Sequence, residues 1–357
     1  MIVAALLRDM AAIRASRQRQ WGYNGAADAV LALDRPLDAL VQGDGTLERV
    51  PGVGPSSTRI AFEVIRTGES ATVEQAVAES GRAEEIRRKR TLRTLFFSRA
   101  RVLEILRDER PGAVRATDLL GDLQMHSTWS DGGASIAELA KACEARGYRY
   151  CGVTDHSYGL RIARGMSADA MRIQHQEIAA LNKHLGERFR VFRSIEVNIQ
   201  PDGTLDMARS DLELLDLVVA APHSNLRTTE DQTSRLLAVV ATPGVHVLAH
   251  PTGRKFGERA GIVARWDEVF KAAAALGVAI EIDGDPWRQD VNFVLAQEAV
   301  RAGCLIALDS DAHSPRELVY AETAVAHARL AGIPASKIIN CWSADRLLEW
   351  AALARRR

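Results

Sequence analysis

The sequence predicts an α/β fold, a parallel sheet or βα barrel, preceded by a small all-helical domain. Two observations predict it. Residues 1 to about 115 carry apolar residues at helical spacings of three and four. Further along, short apolar runs alternate with amphipathic helical stretches, which is the rhythm of parallel βα units. The pattern of apolar residues changes near Pro111 and Gly112, so we expect a helical domain over 1–115 and an α/β domain over 116–357.

Each element follows from a local pattern. The helical region shows one apolar stripe at Ala27, Val30 and Leu31 and another at Ile60, Val64 and Ile65. The predicted strands of the second domain, after a first one that precedes His126, are Tyr150–Thr154, Val191–Ile195, Leu215–Ala221, Val245–Ala249, Val278–Ile282 and Leu305–Leu308. The helices predicted between them are Ser135–Arg146, Ala168–Leu185, Trp266–Leu276 and Phe293–Ala302.

The composition is that of an ordinary globular protein, with 47% hydrophobic and 26% charged residues among 357. Met1–Leu7 is apolar but lacks the features of a secretory leader, and no apolar run approaches the roughly 18 residues of a membrane span. We therefore expect a cytoplasmic protein without a membrane partner. The four cysteines form no CxxC pair, which predicts buried small side chains and argues against a zinc ribbon or disulfides.

Charge is distributed unevenly along the chain. The formal net charge is zero, so the whole molecule is not drawn to nucleic acid. The segment 82–101, however, holds eight basic residues against Glu84 and Glu85. Such a run is either a solvated helix face or a DNA contact.

Potential metal ligands follow nearly every predicted strand. Because the carboxyl ends of the strands of a βα barrel face one rim, these side chains should converge. A single histidine at a strand end is more often structural, but so many coincidences indicate a metal site. Imidazole mixed with carboxylate suits Zn, Mn or Fe, and the lack of thiolates indicates a catalytic site. The candidates are His126, Asp131, Asp155, His156, Glu196, His223, His250, Asp311 and His313.

These residues carry a resemblance to a known family. The segments around them resemble the successive motifs of the polymerase and histidinol phosphatase (PHP) domain over about 122–350. The resemblance implies a distorted (β/α)7 barrel with two to three divalent metal ions at its rim. The motifs are Asp122-Leu-Gln-Met-His126, Ser130-Asp-Gly132, Thr154-Asp-His156, Ile195-Glu196, Pro222-His223, His250-Pro251 and Ser310-Asp-Ala-His313.

The resemblance also implies a ligand set for each metal. One metal would take His126, Glu196 and Asp311; a second would share Glu196 and add His223 and His250; a third would take Asp131, His156 and His313. Glu196 and Asp131 are therefore also expected to be catalytic. Gln124 departs from the pattern, since many PHP domains have a histidine there, and an amide ligand would weaken the first site or favour a harder ion such as Mn²⁺. Asp155 is expected to orient a ligand.

Within that group the chain resembles the C-terminal part of bacterial family X DNA polymerases, which implies 3′–5′ exonuclease or 3′-end phosphoesterase activity. The segments that carry this likeness lie at 160–167, 250–254, 285–288 and 340–343. By position Arg161, Arg254 and Arg288 are candidates for holding substrate phosphates. The alternative is that they form salt bridges within the barrel.

The segment Leu47–Pro55 and the helix after it look like a helix-hairpin-helix, which grips DNA without reading its sequence. Gly52 and Gly54 would let backbone amides approach a phosphate, with Arg87, Arg88 and Arg90 of the basic run assisting. The alternative is a plain turn between helices. Too few residues separate this motif from Asp122 for a polymerase palm, so polymerisation is not expected.

Three functions follow as alternatives. The first is a metal-dependent phosphoesterase acting on DNA ends, and the second is a small-molecule phosphatase of the histidinol phosphatase type. The third is a DNA-binding module with a degenerate metal site. A helical DNA-binding domain favours the first over the second, and the complete ligand set from Asp131 to His313 argues against the third.

Overall fold

The computed structural model describes residues 1–109 and 111–355, which divide into two compact units. The first is Met1–Asp108 with Phe256–Glu258, and the second is Glu109–Lys255 with Arg259–Arg357. The division falls slightly before the boundary at 115 that the sequence predicts. Among the described residues no helix is long and apolar enough to cross a membrane.

The first unit is all helical. Its apolar core is formed by one face of each helix between residues 2 and 91, as the three- and four-residue spacings predict, and includes Leu7, Met10, Ile60 and Ile86. Its α-helices are α1 (Ile2–Ile13), α2 (Arg17–Leu31), α3 (Pro55–Thr67), α4 (Ala71–Glu79), α5 (Ala83–Thr91) and α6 (Arg99–Arg107).

Local chemistry fixes both ends of α3, the helix that follows the predicted hairpin. Gly54 is its N-cap and Pro55 its first residue, where the missing N–H of proline costs nothing. Gly68 ends it in the left-handed conformation with φ 80°. Ile60, Ala61 and Val64 then form its buried stripe.

The second unit is a nearly closed parallel barrel of seven strands in sequential order, which confirms the predicted fold class. The strands are β1 (Gly121–Asp122), β2 (Tyr150–Val153), β3 (Arg190–Ile199), β4 (Leu217–Pro222), β5 (Val247–Leu248), β6 (Ala279–Asp283) and β7 (Ile306–Asp309). The α-helices are α7 (Ile136–Ala145), α8 (Ala168–Leu185), α9 (Arg209–Leu212), α10 (Thr233–Val240), α11 (Trp266–Leu276), α12 (Phe293–Arg301), α13 (Ala321–Leu330) and α14 (Ala344–Ala354).

Side chains close the seam between β7 and β1. The carboxylate of Asp309 accepts from the backbone N–H of Leu123 at 2.6 Å and from the amide of Asn340 at 2.8 Å. The Asn340 amide oxygen accepts in turn from the N–H of Leu308 at 2.7 Å. Asn340, part of a segment that resembles family X polymerases, therefore holds the first and last strands together.

An apolar core fills the barrel at the end where the strands begin. Tyr150, Leu217 and Val247 at the starts of three strands pack in one cluster with Trp342 and with Leu347 of α14. The C-terminal segment thus covers this end. The opposite end of the barrel carries the polar residues.

Candidate metal centre

The eight predicted metal ligands come together at the carboxyl ends of the strands. Glu196 lies within β3, and the other seven follow β1, β2, β4, β5 and β7. Three groups of described residues have ligand atoms within 4.8 Å of one another. They are His126, Asp131, His156 and His313; His156, Glu196 and His223; and His126, Glu196 and Asp311.

Glu196 is the centre of this arrangement, and its two oxygens face different histidines. Oε1 lies 3.1 Å from Nε2 of His223 and 3.0 Å from Nε2 of His250. Oε2 lies 3.3 Å from both Nε2 of His126 and Nδ1 of His156. A carboxylate placed in this way would be able to share its two oxygens between two cations.

A second carboxylate, Asp131, occupies the other side of the site. Its Oδ1 lies 3.6 Å from Nε2 of His156 and 3.5 Å from Nε2 of His313. The ring of His126 is stacked between those of His156 and His313, with centroids 4.4 Å away on each side. His156 therefore faces Asp131 with one nitrogen and Glu196 with the other, whereas the family pattern assigns it to the third metal alone.

Buried polar atoms without well-formed hydrogen bonds indicate that divalent cations fit this rim. Oε2 of Glu196 and Oδ2 of Asp311 lie near imidazole and guanidinium groups, yet neither oxygen accepts a hydrogen bond of good geometry among the described residues. Nε2 of His223 also makes none. Leaving such an atom unsatisfied costs about 1–3 kcal/mol, which a bound cation would offset. His250 and Asp311 also adopt positive φ angles of 27° and 52°, and strain of this kind concentrates at functional sites.

The amide of Gln124 is buried, and neither its oxygen nor its nitrogen has a partner among the described residues. Gln124 lies two residues before His126, so in an extended chain both side chains point to the same side. An amide oxygen is a poorer ligand than imidazole for zinc but is acceptable to Mn²⁺. The amide oxygen of Gln124 is thus available as a metal ligand, at the position where the sequence departs from the family pattern.

The carboxylates and imidazoles shift one another's pKa values. Burial disfavours the charged form of His126, yet its hydrogen bond with Asp311 and the neighbouring Glu196 carboxylate raise its pKa well above the ordinary value. Burial also disfavours ionised Glu196, but the nearby His156 and His223 hold its pKa well below the ordinary value. Burial lowers the pKa of His250 to about 4, with Arg288 adding to the effect. Glu196 is therefore ionised and His250 neutral, which are their ligand forms, whereas His126 must release a proton when it binds a cation.

Hydrogen bonds behind the ligands fix their orientation. Asp155 accepts from the N–H groups of Ser127 and Ser130, at 2.8 and 3.1 Å, and so shapes the loop between His126 and Asp131. The sequence had suggested only that Asp155 orients a ligand.

Two further residues that orient ligand candidates, Asn198 and Glu281, were not predicted from the sequence. The side-chain oxygen of Asn198 lies 3.1 Å from Nδ1 of His223, and Glu281 accepts from the N–H of His250 at 2.6 Å. Asn198 lies two residues beyond Glu196 in the same strand, and strand alternation could have identified it. Asn198 holds Nδ1 of His223, so that Nε2 of the same ring faces the site. Glu281 holds the backbone N–H of His250, so that the imidazole of His250 is directed at the site.

The three predicted phosphate-binding arginines lie in different environments. Nη1 of Arg288 is 3.2 Å from Oδ2 of Asp311, so this guanidinium faces a metal-ligand candidate. Arg254 is only 7% exposed, and burial lowers its pKa to about 10. Arg161 is exposed on a short 3₁₀ turn after β2. Arg161 is thus the one of these three that is open to solvent.

The predicted DNA contacts of the helical unit are not equivalent either. Gly52 has a positive φ of 83°, and Gly54 caps α3, as a hairpin requires. Arg90 donates to the buried carboxylate of Asp9 at 2.7 Å and to Glu74 at 2.6 Å, so it is engaged within the helical unit. Arg87 pairs with Glu84, and Arg88 is exposed on the same helix. DNA binding by the five predicted residues stays a prediction; they are Gly52, Gly54, Arg87, Arg88 and Arg90.

Comparisons with known proteins show relatives of two kinds. The DNA polymerase/3′-5′ exonuclease PolX of Bacillus subtilis is 38% identical over 224 residues, which are 62% of this chain and 39% of that protein. The chain thus spans well under half of that relative. A probable phosphatase of Enterobacter is 28% identical over 204 residues, 54% of this chain and 78% of that protein. The probable phosphatase YcdX of Escherichia fergusonii is 27% identical over 230 residues, 61% of this chain and 89% of that protein.

More distant comparisons add little. Histidinol phosphate phosphatase from Lactococcus lactis superposes on 60% of this chain and 94% of its own with a TM-score of 0.45 and 16% identity. No protein-family model matches the chain. The sequence relatives, the seven-stranded barrel and the clustered histidines and carboxylates agree with the resemblance to the PHP domain, since the chain is similar both to a family X polymerase and to probable phosphatases.

Proposed function

We propose that this protein is a metal-dependent phosphoesterase that acts on DNA ends, as a 3′–5′ exonuclease or a 3′-end processing enzyme. The observation that carries the proposal is the position of Glu196, buried among four imidazoles in a chain similar to a 3′-5′ exonuclease. Two or three divalent ions, Zn, Mn or Fe, would be held by His126, Asp131, His156, Glu196, His223, His250, Asp311 and His313.

Metal ions at such a site supply an acidified water as nucleophile and stabilise charge on the phosphate, so no serine or cysteine nucleophile is needed. The contribution of the chain is to position charge. Glu196 divides its oxygens between two pairs of histidines, and Asp131 faces His156, a member of one of these pairs, together with His313. Arg288 sets its guanidinium against Asp311 and keeps that carboxylate ionised.

The helical unit supports the choice of DNA as substrate. A groove of about 640 Å³ borders the hairpin and is lined by three exposed arginines, Arg49, Arg59 and Arg66. Together with backbone N–H groups near Gly54, they form a cationic surface suited to phosphates and indifferent to base sequence. A phosphatase for a small metabolite has no evident use for such a surface.

A small-molecule phosphatase of the histidinol phosphatase type is the second candidate. The observation in its favour is that the probable phosphatases are matched over most of their own length, 78% and 89%, whereas PolX is matched over 39%. In this alternative the rim would carry out the same chemistry on a monoester, and the helical unit would have another role.

Turnover on two substrates decides between the candidates. Purified protein with Mn²⁺ would be incubated with end-labelled DNA and, in parallel, with histidinol phosphate. The proposal expects stepwise shortening from the 3′ end and little phosphate release from histidinol phosphate. The opposite ranking of kcat/KM would replace the proposal by the metabolite phosphatase.

A further inference from the structure

A short loop follows the ligand candidate His156 and is fixed to it at both ends. It begins at Ser157, four residues after β2, and returns at Met166, which pairs with Ser157 in an isolated parallel bridge. The N–H of Met166 donates to the carbonyl of His156 at 2.7 Å, and the N–H of Ser157 donates to that of Glu196 at 3.0 Å. The loop therefore starts and ends against two residues of the metal rim.

Close packing holds the base of this loop. A Cβ at Gly165 would lie 1.8 Å from the carbonyl oxygen of Ser157, and one at Gly159 would lie 2.0 Å from Oδ2 of Asp206. The hydroxyl of Ser157 donates to that same Asp206 carboxylate at 2.7 Å. Because these contacts exclude any side chain at either glycine, the loop has a defined path beside the rim.

The tip of the loop is apolar and basic at once. Ile162 is 92% exposed and Tyr158 is 41% exposed, while Arg161 and Arg164 are exposed between and beside them. A single exposed aliphatic side chain is ordinary on a protein surface. An exposed aliphatic side chain, a tyrosine ring and two guanidinium groups within seven residues, next to a phosphoesterase rim, form a combination suited to a ligand that has both flat apolar faces and phosphates.

We infer that residues 158–164, the 158–164 loop, bind the unpaired nucleotides at the 3′ end of a DNA strand; this inference rests on the proposed function. Arginines attract the phosphates, and Tyr158 and Ile162 offer apolar surface to bases. In a duplex the base faces are already stacked, and only the edges are accessible in the grooves. The loop therefore selects single-stranded 3′ ends over blunt duplex ends, which must fray before they can bind.

The test compares Ile162→Ser with wild type on a 3′-overhang DNA, a blunt duplex of the same sequence and bis-p-nitrophenyl phosphate. Leu353→Ser is the matched control, since Leu353 is 62% exposed on α14, outside the loop. We expect Ile162→Ser to lower kcat/KM for the overhang, relative to bis-p-nitrophenyl phosphate, by about tenfold through KM, because the apolar contact between Ile162 and a base is lost. Leu353→Ser should match wild type on all three substrates.

Direct binding gives a readout that does not depend on turnover. The affinity of metal-free protein for a fluorescein-labelled single strand is measured by anisotropy across a salt series. Arg164→Gln should reduce the slope of log affinity against log salt by about 0.7, the value for one phosphate contact on a single strand. An Ile162→Ser variant with wild-type affinity and overhang kinetics would overturn the inference alone. A wild-type protein that hydrolyses bis-p-nitrophenyl phosphate but no DNA would overturn the proposed function and the inference with it.

Discussion

The helical unit and the barrel rim both bury carboxylates, but they satisfy them differently. In the helical unit the fully buried carboxylate of Asp9 meets the guanidinium groups of Arg90 and Arg93. At the rim the equally buried Glu196 faces imidazoles, and its Oε2 accepts no hydrogen bond of good geometry among the described residues. The first pattern is complete within the chain and stabilises a fold. The second would be completed by bound cations, and this is the difference that we expect between a metal site and a structural core.

The largest effect should follow from changing Glu196, the carboxylate that is proposed to bridge two metal ions. Glu196→Gln removes the charge that faces four histidines, so we expect loss of bound metal and a fall in kcat of roughly a thousandfold, as several kcal/mol of charge stabilisation disappear. Metal content by plasma mass spectrometry and turnover on DNA measure the two effects.

Glu281→Gln is the matched control for that variant. Glu281 is also fully buried, and its acceptor role toward the N–H of His250 can be kept by an amide oxygen. We expect this variant to retain its metal and most of its rate. If Glu196→Gln behaved like Glu281→Gln, the bridging assignment would be wrong.

The next effect concerns the groove arginines of the helical unit. Arg59→Gln should weaken DNA binding several-fold at low salt and reduce the salt slope by about 0.9, the value for one phosphate contact on duplex DNA. Arg88→Gln, on α5, is the comparison, because the sequence predicts a DNA contact there. A larger effect from Arg88 than from Arg59 would move the proposed DNA surface from the groove to α5.

A stability measurement separates the two roles of the basic run. Arg90→Gln removes one partner of buried Asp9, and we expect the free energy of unfolding to fall by about 1–3 kcal/mol. Denaturant unfolding monitored by circular dichroism measures it, with Arg88→Gln as the exposed control. If the unfolding midpoint of Arg90→Gln were unchanged and the salt dependence of its DNA affinity were reduced, Arg90 would bind DNA instead of stabilising the helical unit.

The smallest effect is a change in pH dependence at a buried histidine of the barrel. Nδ1 of His327 accepts from the N–H of Phe293 at 3.0 Å, and burial lowers the pKa of His327 to about 3. Unfolded histidine titrates near 6.5, so between about pH 6.5 and 3 the unfolded state binds more protons and stability falls as pH falls. His327→Asn should be less stable at pH 7 but lose less stability between pH 7 and 4.5, measured by urea unfolding. Parallel losses in both proteins would contradict this.

Much of the barrel could be predicted from the sequence because its elements are strongly periodic. The helices predicted over Ala168–Leu185 and Trp266–Leu276 have those bounds in the structure, since a polar N-terminal residue and a glycine delimit them. Strand ends were less accurate: the strand predicted at Val245–Ala249 is Val247–Leu248. Pairing with neighbouring strands sets those limits, and the sequence does not display it.

The ligand candidates could be found because each is a polar residue after an apolar run. The supports behind them could not be found in the same way. Asn340 lies far from Asp309 in sequence, and only closure of the barrel brings its amide to that carboxylate at 2.8 Å. Arg90 was grouped with its neighbours by charge, whereas its pairing with Asp9 depends on how α1 and α5 pack.

Metal titration tests the central claim most directly. Protein stripped by a chelator would be reloaded with Mn²⁺ in steps, while metal content and release of nucleotides from end-labelled DNA are measured on the same samples. The account predicts negligible hydrolysis by stripped protein and a rate that rises until two to three ions are bound per chain. Full hydrolysis by protein that retains no metal would contradict it.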